Sequence, residues 1–424
     1  MRCRHEIGAL VFFVGILIVA GVAAEVPDYT DVELQVRSNI VDGFNLPPNS
    51  SFNSRTPSLN DNGQVAVSLG VVGGDTTTQG IWLGAHGVGS VVYSNSQDGF
   101  ISDCSVNNDG DVVFELSYLT PDGLYLYDSG AGAGGFLTDQ PIGSTGWGSP
   151  EINAAGSVGY RASFSGDYAW VSFNGVAVAY HAVMADLDIT SPYSYLFTPS
   201  FNDSSLIAGK VRLGGPGQTG GSQPDQIRVF ASDGSSTLIA EDEDSNALSP
   251  FLGFDNSVSL TESGWVGFVA ETAAEGRGVY LGNGNELRTI ATENDPDVGE
   301  IEYFGVSAND GGLVVFRAVD GAGLQTVFVG DGESLVRVVT EHDVVPTDQG
   351  PGRIDQHDSS TVFGGSPAIN ATGQVAISAT LTPEYSNQVE WGSGIFVVSS
   401  GAEVFSDGFE GGDTSRWSGS VPSR

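Results

Sequence analysis

The chain has 424 residues, and 52 Asp plus Glu against 15 Lys plus Arg leave a net charge of −37, with 60 Gly and two Cys. A chain this acidic is repelled by phosphates and anionic lipid, which excludes an electrostatic nucleic-acid binder. Its 40% hydrophobic and 10% aromatic composition excludes a mostly disordered chain, because enough apolar surface exists to offset the entropy of ordering.

The first element is an address. Arg2, Arg4 and His5 precede an apolar run over 7–20, and Val22, Ala23 and Ala24 supply small residues before Glu25. This reads as a signal peptide over 1–24, cleaved on export, so a secreted or cell-surface protein is expected. A membrane anchor is the alternative, but the run falls short of the ~18 apolar residues a span needs. Cys3 leaves with the signal peptide, so the mature chain keeps Cys104 alone and has no internal disulfide. An isolated cysteine of this kind is expected as a small buried hydrophobe rather than a nucleophile. The single lysine, Lys210, against fourteen arginines suits a high-GC bacterial genome.

From residue 25 to 404 one pattern recurs seven times: an apolar residue, Asn, two turn formers, Gly, then alternating apolar residues. The Asn positions are Asn60, Asn107, Asn153, Asn202, Thr261, Asn309 and Asn370, spaced by 47, 46, 49, 59, 48 and 61 residues. The turn glycines are Gly63, Gly110, Gly156, Gly264, Gly312 and Gly373, with Ser205 in the fourth copy. Asn-x-x-Gly makes a tight hairpin turn, in which Asn bonds back to the backbone and Gly takes a left-handed conformation. Each turn is followed by a period-two strand and by two further hydrophobic stretches, as in 80–84 and 90–93 or 278–282 and 287–291. With the strand leading into each Asn, that makes four strands per repeat. Four antiparallel strands per ~50 residues is a propeller blade, and the prediction is an all-β, seven-bladed β-propeller. Tandem sandwiches need ~100 residues per unit, and a β-helix needs shorter rungs. The segment Val32 to Ser38 is like the outer strand at Leu335 to Thr340, so the N-terminal strand is expected to complete the seventh blade.

The repeated Asn-x-x-Gly-x-x-small-aromatic signature, over residues about 31 to 400, resembles the bacterial NxxGxxAF tandem-repeat exported proteins described as having a choice of anchor. That resemblance implies export and a propeller-like architecture, and no settled activity. The fourth copy departs from it at Ser205 and at Ala208-Gly209, where the aromatic is absent, and the fifth at Thr261. The tail over 405–424 resembles a short closing segment of many exported bacterial proteins, read either as a sorting element or as a polar terminus.

No Gly-x-Ser-x-Gly elbow, phosphate loop, His-Glu-x-x-His or Cys-x-x-Cys occurs. Two constellations stand as candidates. Glu341-His342-Asp343 and Asp355-Gln356-His357-Asp358 lie in the longest inter-repeat loop. His342, Asp355 and His357 could bind a metal there, or the segment is a solvated polar insertion. An acidic residue also follows the outer strand in nearly every repeat: Asp42, Asp98, Asp139, Asp186 or Asp188, Glu241 to Asp244, Asp295 and Asp343. Those connections share one face, where a carboxylate ring could hold calcium or sugar hydroxyls, or simply supply solubility and protect strand edges. Trp82, Trp147, Trp170, Trp265 and Trp391 are expected as blade packing. The leading expectation is a monomeric, non-enzymatic exported propeller that binds an extracellular polymer or surface protein, with calcium as its candidate cofactor. A propeller-type glycan lyase or hydrolase comes second, and a structural envelope component third.

Overall fold

The computed structural model describes residues 25–38, 42–52, 56–96, 99–118, 121–357 and 361–401. The expected signal peptide, the tail and Asp98 lie outside them. The repeating turn sets the architecture. Asn60 Oδ1 accepts from the backbone of Asn62 at 3.1 Å and Gln64 at 2.9 Å, while Gly63 N–H returns to Asn60 O at 3.1 Å. The six turn glycines take φ between 74° and 85°, a region that favours residues without a Cβ. Ser205 holds the same turn in the fourth repeat at φ 55°. In the fifth, Thr261 Oγ1 replaces the Asn oxygen and accepts from Trp265 N–H at 3.1 Å.

These turns join the first two strands of each of seven antiparallel sheets, and among the described residues there is no helix. Blade one runs Ser58–Leu59, Val65–Leu69, Gln79–Ala85 and Val88–Asn95, in order from the axis outward. Blades two to six repeat that order, and in blades four and six the inner strand is split in two, as Tyr193–Leu196 and Ser200–Phe201 or Val298–Ile301 and Ser307–Ala308. The whole is a seven-bladed propeller of four-stranded blades.

Blade seven closes it with strands from both ends of the described chain. Phe363–Ile369, Val375–Pro383 and Gly392–Ser399 are completed by Asp31–Arg37, which pairs from Asp31 with Ser399 to Arg37 with Gly394. The fully buried Arg37 clasps the joint. It donates to both oxygens of Asp348 at 2.7 and 2.6 Å, to Trp391 O at 2.7 Å, and to Asp42 O. Burial alone would raise Asp348, but hydrogen bonds from Arg37 and Gln349 outweigh it and hold the carboxyl below its ordinary range.

Asp348 belongs to a feature that corrects the sequence reading. The segment after blade six, expected as a loop, forms a hairpin of Val344–Thr347 and Gly350–Ile354 that docks on Val375–Pro383. Its outer strand, Val344–Thr347, is an edge of the sheet, where Pro346 is tolerated.

Apolar side chains fill the spaces between blades. Val36, Ile395 and Val397 of blade seven, for example, pack with Val65, Val67 and the fully buried Trp82 of blade one. Cys104 is buried in the layer between blades one and two. Trp147 and Trp170 are buried too, whereas Trp265 and Trp391 are only partly so. The missing aromatic of the fourth repeat also has an explanation. A Cβ on Gly209 would lie 2.5 Å from the Trp170 ring of blade three, so the neighbour's indole fills the space that Phe fills elsewhere.

Candidate functional site

Around the axis the turns are stitched to one another. The side-chain amide of each Asn donates to the backbone carbonyl of the equivalent residue in the next blade. The links run Asn60 to Asn107 (2.7 Å), Asn107 to Asn153 (3.3 Å), Asn153 to Asn202 (3.4 Å) and Asn202 to Thr261 (2.9 Å). Asn309 to Asn370 and Asn370 to Asn60, both 2.9 Å, complete the circle except at Thr261, which has no amide to offer Asn309. A second tier lies two residues earlier. Ser58, Ser105, Ser200, Ser259 and Ser307 accept through Oγ from a backbone N–H of the next blade at 2.9–3.2 Å.

Glu151 takes the serine's place in blade three, its Oε2 accepting from Phe201 N–H at 2.6 Å and Ser200 Oγ at 3.1 Å. A third tier is acidic: Asp61, Asp203, Glu262 and Asp310 accept from backbone N–H groups of the preceding blade at 2.6–2.8 Å. The mouth on this face is a cavity of about 190 Å³ lined by those residues. Enclosure pushes Glu151 up to about 7, with the Glu262 charge adding to it. Glu262 also rises to about 7, through burial and then the facing Asp203, Asp310 and Asp61. The carboxylates here therefore act as inter-blade staples.

The acidic residues expected to ring the channel sit on the connections at the opposite face, and local bonds occupy several of them. Asp188 accepts from Thr190 N–H and Oγ1 at 2.9 and 2.8 Å, which hold its carboxyl below the ordinary range. Asp295 and Asp343 each accept from a backbone N–H three residues earlier at 2.7 Å, those of Thr292 and Thr340. Asp42, Asp139 and Asp244 are exposed. In blade four the built-in acid is instead the buried Asp242, which accepts from Asp225 N–H at 2.7 Å. Among the described residues none of these acids joins a three-residue cluster able to hold a metal.

The cluster that does form is Glu341, His342 and Asp355, with donor atoms within 4.8 Å of one another. His342 Nε2 lies 3.6 Å from Glu341 and 3.9 Å from Asp355. It unites two of the expected metal-site residues. His357 points away, its Nδ1 3.2 Å from Asn387 O, and Arg353 stands 3.4 Å from Asp355 as a competitor for any cation.

Sequence reasoning passed over the basic residues. On the half of the propeller away from the Asn turns, Arg161 of blade three, Tyr195, Phe197 and Arg212 of blade four, and Asn256 of blade five line one cavity of about 210 Å³. Blades three and five are not neighbours, so a pocket touching both lies close to the axis. Asn256 also walls an adjoining cavity bounded by Asp255, Tyr303 and Phe304. Irregular register in the inner strands, between Tyr193 and Tyr195, Phe254 and Val258, and Val298 and Ile301, lets these segments depart from the ladder.

No protein-family model matches the chain, and no curated protein matches it in sequence. Several solved structures are similar in shape. One is the virginiamycin B lyase from Staphylococcus aureus, at 10% identity and TM-score 0.44, over 87% of this chain and 99% of that one. A puromycin hydrolase gives 9% and 0.48 over 85% and 56%. The Pyrococcus horikoshii acylaminoacyl peptidase gives 13% and 0.45 over 83% and 53%. The chain thus spans about half the length of the two hydrolases.

Proposed function

We propose that the chain is an exported, non-enzymatic binding propeller that takes an extracellular polymer or surface protein at the mouth opposite the Asn turns. One observation carries this reading. At the turn face the inward-facing polar groups are consumed by blade-to-blade hydrogen bonds, whereas the other mouth carries two adjoining cavities lined by aromatic rings, amide and guanidinium groups. Concave sites with a few convergent polar groups on an apolar lining are where ligands bind. The location is the face first expected from the acidic connections, but the chemistry at its centre is aromatic and basic. Calcium, if it takes part, would act from the surrounding carboxylates. A panel of polysaccharides and surface proteins, titrated into the full chain with calcium and then with a chelator, tests the reading. Binding without product release supports it, and product release refutes it in favour of a glycan lyase or hydrolase. That second reading draws on the Glu341, His342 and Asp355 cluster, a set able to exchange protons.

A further inference from the structure

The two adjoining cavities carry a more specific ligand. Arg161 and Arg212 line the first cavity, the buried Lys210 lies against the Phe197 ring of its wall, and one carboxylate, Asp225, is in contact with Lys210 and Arg212. Arg212 binds it bidentately at 2.8 and 2.9 Å, and Lys210 lies 3.5 Å away. Of the other nearby acids, Asp242 accepts from Asp225 N–H and Asp255 is taken by Arg277 at 3.0 and 2.7 Å. Arg161 has no ion pair among the described residues. Its guanidinium lies 4.4 Å from the Tyr168 ring centroid, with one long contact of 3.5 Å to Leu196 O. On a chain of net charge −37, this is a local surplus of positive charge with a guanidinium fork unspent.

The rest of the lining is suited to a sugar. Tyr195 and Phe197, edge to face at 4.7 Å, give an apolar wall, and the exposed Asn256 offers an amide on the ridge between the cavities. In the second cavity Tyr303 is 74% exposed and is held by Arg277, 3.7 Å from its ring centroid. A large aromatic ring fixed in solvent presents a flat apolar face, as stacking on a pyranose requires. At about 210 Å³ the first cavity is below the ~300–1,000 Å³ of drug-sized pockets, so it admits one ring and not a folded segment.

We propose that the paired cavities bind an acidic oligosaccharide, with the carboxylate of one uronate residue on Arg161 and the next ring on Tyr303. This rests on the reading that the mouth away from the Asn turns is the ligand face.

Calorimetry of the full chain in chelator tests it, with a galacturonate trimer, galacturonate monomer, a neutral galactose trimer and a hexaglutamate peptide as probes. The acidic trimer should bind, weaken steeply with added sodium chloride, and bind more tightly than the monomer. Arg161→Gln should weaken it about tenfold or more and Tyr303→Ala several-fold, both with unchanged melting temperature. Equal binding of the neutral trimer, or indifference to Arg161→Gln, overturns the acidic assignment while leaving the ligand face standing. Binding of hexaglutamate alone, lost in Arg161→Gln, overturns it in favour of a protein partner. If no probe binds, the assignment falls and the face loses its support.

Discussion

Replacing Glu151 by Gln should stabilise the protein at pH 8 and do little at pH 5. Two residues before the turn the other repeats carry Ser or Ala, and only blade three places an ionisable group at this position. Enclosure moves that carboxyl from 4.5 to about 7. At ~1.4 kcal/mol per pH unit, the difference comes to about 3 kcal/mol. Between those two pH values the folded protein keeps a proton that the unfolded chain has released. The contribution to stability is therefore complete below pH 4.5 and is lost as pH rises through 7. Glu151 retains some contact with solvent, which screens its charge, so about half of that sum, ~1.5 kcal/mol, is the expected gain at pH 8. Gln keeps an oxygen for Phe201 N–H and Ser200 and carries no charge at any pH. Thermal unfolding of parent and variant at pH 5 and pH 8, at one ionic strength, reads the effect. Subtracting parent from variant cancels nearly all of the general repulsion of so acidic a chain. A gain of equal size at both pH values, or a loss at pH 8, would refute the account of the channel wall.

Thr261→Asn should supply the missing amide donor to Asn309 and raise stability by about 0.5–1 kcal/mol, measured by denaturant titration; no gain would mean the ring does not work link by link. Gly209→Ala should cost about 1–3 kcal/mol by displacing the Trp170 ring, visible as a lower unfolding midpoint, whereas a neutral result would deny the close packing between blades three and four. Deleting Asp31–Arg37 removes the fully buried Val36 and the buried Leu34, about 1.5–3 kcal/mol each, and bares the edge of Gly392–Ser399. It should lower the melting temperature far more than deleting 405–424, and equal melting temperatures for the two would contradict closure by that strand.

The architecture was legible because its determinants are local. Asn-x-x-Gly dictates a turn from four residues, alternation marks the following strand, and the likeness of 32–38 to 335–340 is visible without knowing where either lies. Ser58, Ser105 and their equivalents recur two residues before the turn just as regularly. Their role is hidden in the sequence because a hydroxyl's partner 47 residues away depends on how blades are rotated about the axis. The basic pocket is less legible still. Arg161, Arg212 and Asn256 share no motif, and only the inner-strand irregularities bring three blades to one cavity. The acidic residues after the outer strands are visible in the sequence, but their local bonding is not. Their sequence positions recur faithfully, and a local bond accounts for that recurrence, from the N–H two residues on at Asp188 and three residues back at Asp295 and Asp343.

The antiparallel closure of blade seven also fixes how the ring would answer to a pull. Because Asp31 faces Ser399, the chain enters and leaves the closing pair at the same end, and Gly401 N–H still reaches Thr30 Oγ1 at 2.9 Å. Tension applied across those two points opens the ladder one hydrogen bond at a time, as a zipper, rather than loading all of them together in shear. The Arg37 clasp lies at the far end of that zipper and is the last contact to feel the force. A load applied at the C-terminal end alone would enter through Gly392–Ser399 and would not pull directly on the backbone of the N-terminal strand. Attachment through one end preserves the closure that attachment through both would peel apart.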